Sequence, residues 1–249
     1  MTRSKRQVIP AKRARKQVVV TQEEIIQEIP LKRETADTSP IKGKTKNQEH
    51  YIKAISSSNL VFATGPAGVG KTFLATALAA KALSDKRIDH LIITRPAVEA
   101  GENLGALPGE IKDKFDPYLQ PFRDVLNRRL GKSFTDYLIN AGRIEAVPLA
   151  YIRGRTFRNA MVILDEAQNT TPTQMKMFLT RIGEDCTAIV NGDITQTDIR
   201  GQSGLSDAIK KLGHLPSIRF IEFDRADIVR SGLVQEIVEA YETAHERPE

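Results

Sequence analysis

Leu60-Val-Phe-Ala-Thr64-Gly65-Pro66-Ala67-Gly68-Val69-Gly70-Lys71-Thr72 opens on an apolar run of strand length, turns on three glycines and enters the alanine-rich stretch 71–83. The apolar run predicts a strand, and alanine, the best helix former, predicts a helix after it. Strand, glycine loop, helix is the context that makes G-x-x-x-x-G-K-T a phosphate-binding loop. Glycines let successive backbone N–H groups turn inward around phosphate oxygens, and the helix N-terminus adds its positive end. Gly65, Pro66, Ala67, Gly68, Val69, Gly70, Lys71 and Thr72 are therefore assigned to the phosphates of ATP. Lys71 is expected to reach the β and γ phosphates, and Thr72 to hold Mg²⁺.

Further along, Met161-Val-Ile-Leu-Asp165-Glu166-Ala-Gln168 is an apolar strand ending in two carboxylates. Such a strand can deliver both to the phosphate loop of a neighbouring strand. Asp165 is expected to bind Mg²⁺ through its waters, and Glu166 to orient and polarise the attacking water. Alone, Asp-Glu after a strand is usually a solvated turn; downstream of a phosphate loop it becomes the second half of a site. A third run, Ala188-Ile-Val-Asn-Gly192-Asp193, leads through Ile-Thr to the polar Gln196.

Outward from these motifs, strands are expected at residues 91–94, 144–147, 161–164, 187–190 and 218–223. Helical patterns lie at 117–130, 134–141, 172–182, 206–212 and 233–244, and Gln48, Tyr51, Ile52 and Ile55 mark a short amphipathic helix near Asn47. Alternating strands and helices predict an α/β fold, a parallel sheet with helices on both faces.

The 249 residues, 40% apolar, suffice for one domain with a sizeable core plus a tail. Residues 1–45 are polar, carry Pro10, Pro30 and Pro40, and lack a sustained period apart from a β-capable run at 18–21. They are expected to form a basic, disordered arm ahead of an ATPase domain at 46–249. The net charge of +6 divides unevenly: residues 1–50 hold twelve Lys/Arg and six Asp/Glu, leaving twenty-five of each in the rest. Arg3, Lys5, Arg6, Lys12, Arg13, Arg15 and Lys16 have no acid among them. That arm suits either contact with phosphate or a solvated tail. Cys186, the one cysteine, sits in an apolar run and is expected in the core of a cytoplasmic protein. No apolar run is long enough to span a membrane.

Three long stretches are more specific than the phosphate loop: Thr94-Arg-Pro-Ala-Val-Glu-Ala-Gly-Glu-Asn-Leu-Gly-Ala-Leu-Pro-Gly109, Asp116-Pro-Tyr-Leu-Gln-Pro121 and Pro148-Leu-Ala-Tyr-Ile-Arg-Gly-Arg-Thr-Phe157. With the run from Leu164 through Asp-Glu-Ala-Gln-Asn-Thr-Thr-Pro to Met177-Phe-Leu-Thr-Arg181, they resemble the PhoH-like family across residues 46–245. Its members are predicted ATPases whose core is similar to the first motor domain of superfamily 1 helicases, a RecA-like P-loop NTPase.

The resemblance implies a γ-phosphate sensor at Gln196. It implies that Gln48, 23 residues before Lys71, reads the adenine edge, since an amide can donate and accept side by side; the alternative is an exposed helix residue. Thr94-Arg95-Pro96 corresponds to the helicase segment lying against nucleic acid. Asp227-Ile-Val-Arg230 resembles the late arginine motif facing the γ-phosphate. Helicases of that kind complete the site with a second motor domain, for which this chain leaves no room. A homo-oligomer, a ring such as a hexamer, is therefore expected, with Arg230 or Arg225 supplied in trans. Some family members carry a fused nuclease-like domain. The N-terminal arm lacks the acidic cluster for one, and His50, His90, His214 and His245 lack zinc-ligand spacing.

The expected function is thus ATP hydrolysis with Mg²⁺, coupled to RNA or single-stranded nucleic acid as a motor or helicase-like switch. The alternative is an ATP-gated factor that remodels or senses a protein partner.

Overall fold

Six short runs, apolar at their centres, pair side by side in parallel: β1 (Leu60–Thr64), β2 (His90–Arg95), β3 (Ile144–Pro148), β4 (Ala160–Leu164), β5 (Cys186–Gly192) and β6 (Arg219–Glu222). The structure, a computed structural model, describes residues 36–96 and 111–229, with the backbone alone at 111–118. Helices α1 (Lys46–Ser57), α2 (Lys71–Ser84), α3 (Ile111–Leu130), α4 (Lys132–Asn140), α5 (Pro172–Leu179) and α6 (Gly204–Leu212) fill the connections.

Alternation along the strands divides the apolar side chains between two cores, because successive residues of a strand face opposite sides of the sheet. Val61, Leu91, Ile93, Ile163 and Ile189 pack on one face with Tyr51 of α1, the buried alanines of α2, and Phe122 and Leu126 of α3. Phe62, Ile92, Val162, Leu164 and Val190 pack on the other with Phe178 of α5 and Leu205 of α6. The expected parallel sheet with helices on both faces is the one observed. Cys186 is buried and free, and burial pushes its thiol up to about 11.

The sheet order is β3-β2-β4-β5-β1-β6. β4 is therefore not the neighbour of β1 that its carboxylates suggest, since β5 lies between them. β5 can take that central place because Ala188, Ile189 and Val190 are fully buried, and it pairs with β1 through Leu60↔Ala188 and with β4 through Val162↔Ala188. The C-terminal ends of β1, β5, β4 and β2 consequently line up along one edge, where open α/β sheets bind their ligands.

Three boundaries differ from expectation. α3 begins at Ile111 rather than at residue 117 and carries Pro117 and Pro121 within it. Each proline removes one helical hydrogen bond, and the burial of Leu119, Phe122, Leu126 and Leu130 along one stripe outweighs the loss. α5 stops at Leu179, because Ile182 bridges Phe157 instead of continuing the helix. Residues 36–45, assigned to the arm, are already tied to the end of α3: the Asp37 amide donates to Arg128 O at 2.8 Å, and Arg129 donates to Ser39 O at 2.8 Å. The remainder of the arm, with the run at 18–21, and the helix expected at 233–244 lie outside the described residues. Among the described residues no helix is long and apolar enough to cross a membrane.

Candidate active site

The turn after β1 is shaped by glycines whose backbone other residues cannot easily adopt. Gly65 sits at φ 138°, and a Cβ there would collide with the backbone of Phe223, which follows β6. Gly70, at φ 88°, is the N-cap of α2 and offers no side-chain acceptor, so the first N–H groups of the helix keep their free positive end. Lys71 folds back over this loop and donates to Gly65 O at 2.5 Å and Pro66 O at 2.9 Å. Burial lowers the Lys71 pKa, against the opposing pull of Asp193, Asp165 and Glu166. Three carboxylates thus face this ammonium across the cleft.

Asp165 follows the fully buried Leu164 and is itself only 3% exposed. Its backbone N–H donates to Thr94 O at 2.9 Å. The Thr72 hydroxyl donates to its Oδ1 at 3.2 Å, and Arg95 donates to its Oδ2 from Nη2 at 2.6 Å and from Nε at 3.2 Å. Glu166 turns the chain out of the sheet in the left-handed region, φ 55°, a conformation that costs a non-glycine residue about 1 kcal/mol or more. The turn leaves Glu166 exposed on the cleft wall while Asp165 stays buried.

Gln168 joins this strand end to β5. Its Nε2 donates to Glu166 Oε2 at 2.7 Å, and its Oε1 accepts from the Asp193 N–H at 3.0 Å. Gly192 makes that approach possible, because a Cβ there would stand 2.9 Å from Gln168 Oε1. Asp193 is buried, holds Thr195 through Oδ1 at 2.7 Å, and leaves Oδ2 without a hydrogen-bond partner among the described residues. Beneath, the Tyr51 hydroxyl donates to Asn191 Oδ1 at 2.6 Å. Burial, then the charge of Asp165, raises the Tyr51 pKa well above its usual value.

These strand ends enclose a cleft of about 680 Å³ lined by Gly68, Lys71, Thr72, Asp165, Glu166 and Gln196, with Lys42, Gln48 and Phe73 also on its walls. The chain from residue 40 to residue 242 matches the family described as PhoH-like protein. This chain belongs to the PhoH-like family. It is 53% identical to Protein PhoH of Escherichia coli (strain K12) over 87% of its own length and 62% of that protein. It is 52% identical to a PhoH-like protein of Bacillus subtilis (strain 168) over 81% of its length and 64% of that one. It therefore spans less than two thirds of these relatives. Among solved structures, the Pif1 helicase of Candida albicans aligns with 80% of this chain and 43% of its own, at 16% identity and a TM-score of 0.41. At that score the likeness adds nothing to the fold read from the strand order.

In this PhoH-like chain Ala67, Gly68, Gly70, Lys71, Thr72, Asp165, Glu166 and Gln196 line the same cleft. Gln48 is buried, so it is not an exposed helix residue; its Oε1 accepts from the Lys44 N–H at 2.7 Å and its Nε2 donates to Val69 O at 2.9 Å. Each of the two groups keeps a second hydrogen-bonding position, a lone pair on Oε1 and an N–H on Nε2. Arg225 is exposed at the start of the single turn Arg225–Asp227 after β6, and Arg230 lies outside the described residues. Arg95, expected against nucleic acid, instead turns onto Asp165. No local sequence signal announces that contact, which follows from Thr94, one residue before Arg95, pairing with Leu164 across the sheet. Sequence reasoning also missed Gln168 as the residue that joins Glu166 to Asp193, although all three lie within the quoted motifs.

Proposed function

We propose that the chain binds ATP with Mg²⁺ in this cleft and hydrolyses the γ-phosphate, working as a cytoplasmic oligomer on RNA or single-stranded nucleic acid. The observation that carries the first part is the meeting of Thr72 with Asp165 at 3.2 Å, with Lys71 and Glu166 on the walls of the same cleft. A hydroxyl and a carboxylate are hard oxygen donors of the kind Mg²⁺ takes in small number, with waters and phosphate oxygens completing its shell. Such a site needs no cluster of three His, Cys, Asp or Glu, and among the described residues there is none. When bound, Mg²⁺ neutralises charge on the β and γ phosphates.

The chain's own groups then have distinct tasks. Lys71 exchanges two carbonyls for phosphate oxygens, which are stronger, charge-assisted partners. Glu166, fixed by Gln168, accepts from the attacking water and aligns it with the γ-phosphate. Gln196 senses that phosphate from the rim, and Gln48 borders the base with its second N–H and second lone pair. Arg230 or Arg225 of a neighbouring subunit supplies the remaining positive charge; arginine fingers contribute roughly 10³ to 10⁵ in turnover.

The basic residues of the first twenty positions support a nucleic-acid substrate, and the balanced charge of residues 51–249 favours a second reading, remodelling of a protein partner. Steady-state ATP hydrolysis with and without single-stranded RNA, on protein sized by light scattering, separates them. Turnover that rises with RNA and needs the oligomer supports the motor. RNA-indifferent turnover supports remodelling, and a monomer with full turnover removes the trans arginine.

A further inference from the structure

Asp165 is the metal-side carboxylate of the function proposed above, and both its oxygens are already engaged. Arg95 ends β2, and the pairing of Thr94 with Leu164 sets it beside Asp165. Its guanidinium donates twice to Oδ2, while the Thr72 hydroxyl covers Oδ1. The pair is largely shielded from water, the Arg95 side chain being 17% exposed. The guanidinium also lies over Phe122 of α3, 5.4 Å from the ring centroid. A carboxylate below and an aromatic face above make a fitted place for one positive charge.

One buried carboxylate oxygen cannot serve a guanidinium and a divalent cation at full strength. We propose that Arg95 is the resident cation of the metal site, holding Asp165 while no divalent ion is present and released from it when Mg²⁺ enters with nucleotide. The inference rests on the proposed function, because it takes Asp165 as the metal's carboxylate. Two consequences follow from the geometry. The empty site is protected, since a buried carboxylate without a counter-charge is strongly destabilising. The arrival of the metal is also felt at the C-terminal end of β2 and at Phe122, because both contact the group that must leave.

The test compares the wild-type chain with Arg95→Gln, Arg95→Lys and Asp165→Asn. The readout is the Mg²⁺ concentration at which binding of mant-ADP is half-maximally tightened, together with the rise in Tm on adding saturating Mg²⁺ and ADP. Arg95→Gln should lower the Mg²⁺ midpoint by about tenfold or more, the size set by one charge-assisted hydrogen bond to a buried carboxylate, and should gain more Tm than wild type. Arg95→Lys keeps the charge without the paired donors and should fall between them, which preserves the test if Arg95→Gln does not fold. A midpoint for both variants equal to or above that of wild type, with Asp165→Asn abolishing the Mg²⁺ effect, overturns the role of Arg95 and leaves Asp165 as the metal's carboxylate. An unchanged Mg²⁺ effect in Asp165→Asn removes the proposed metal site, and this inference with it.

Discussion

One wall of the cleft comes from a contiguous loop, Gly65 to Thr72, whereas the opposite wall takes Asp165 and Glu166 from just beyond β4, and Asp193 and Gln196 from beyond β5, with Arg95 of β2 held against Asp165 behind them. The first wall is made by backbone: positive φ at Gly65, Gly68 and Gly70 sets the path, and the start of α2 supplies the N–H groups. The second is made by side chains that hold one another, Arg95 and Thr72 on Asp165, Gln168 between Glu166 and Asp193. A backbone wall should fail all at once when its shape is altered. A side-chain wall should fail by degrees, according to which link is cut.

The largest effect should come from the charged side chain of the backbone wall, which faces the acids. Lys71→Ala removes the ammonium that balances three carboxylates, and turnover should fall by about 10³, with nucleotide affinity falling as well. Turnover within tenfold of wild type would erase the distinction between the walls. Gly65→Ala comes next: it forces a Cβ onto the backbone of Phe223 and should cost about 2 kcal/mol, a drop in Tm on the order of 5 °C. Thermal melting followed by circular dichroism checks it, and an unchanged Tm would mean that the loop can relax.

Cutting one link in the other wall should be milder. Gln168→Ala frees Glu166 and leaves the Asp193 N–H unpaired, so kcat should fall by roughly tenfold, the equivalent of one hydrogen bond, with KM for ATP little changed. A rise in KM alone would assign Gln168 to binding rather than to Glu166. The smallest effect lies outside both walls. Hydrogen bonds from Ser39, first its side chain and then its backbone, with help from Arg129 and Arg128, hold the Asp37 carboxyl at about 2 against an ordinary 3.8. A depressed carboxyl pKa gives stability that is complete above the ordinary value and lost as pH falls through the folded one. Asp37→Asn should therefore flatten the acid limb between about pH 4 and pH 2 in urea-midpoint measurements, with a slightly lower midpoint at neutral pH that converges on wild type below about pH 2.

The same contrast explains what the sequence made legible. Gly65 to Thr72 could be assigned in full because a loop's chemistry and its spacing are local, and Leu164-Asp165-Glu166 could be assigned because a strand end announces its carboxylates. The unbroken apolar run Leu91-Ile92-Ile93 foretold a strand of a sheet covered on both faces. Strand order was not legible: nothing in Ala188-Ile189-Val190 says that this strand will stand between β1 and β4. The partnership of Arg95 with Asp165 depends on β2 lying next to β4, a pairing across the sheet, so a residue expected to face outward turned inward. Gln168 escaped for the same reason, because its two partners come from different strand ends. The expected helix started at residue 117, whereas α3 begins at Ile111 and runs through Pro117 and Pro121, with Leu119 and Phe122 packed in the core beyond.

The most direct test of the central claim separates binding from chemistry at Glu166. Mant-ATP affinity and single-turnover hydrolysis of γ-labelled ATP are measured together, on the oligomer with single-stranded RNA present, for wild type and Glu166→Gln. The account predicts affinity within a few-fold of wild type and hydrolysis slowed by about 10² or more; hydrolysis at the wild-type rate in Glu166→Gln would contradict it.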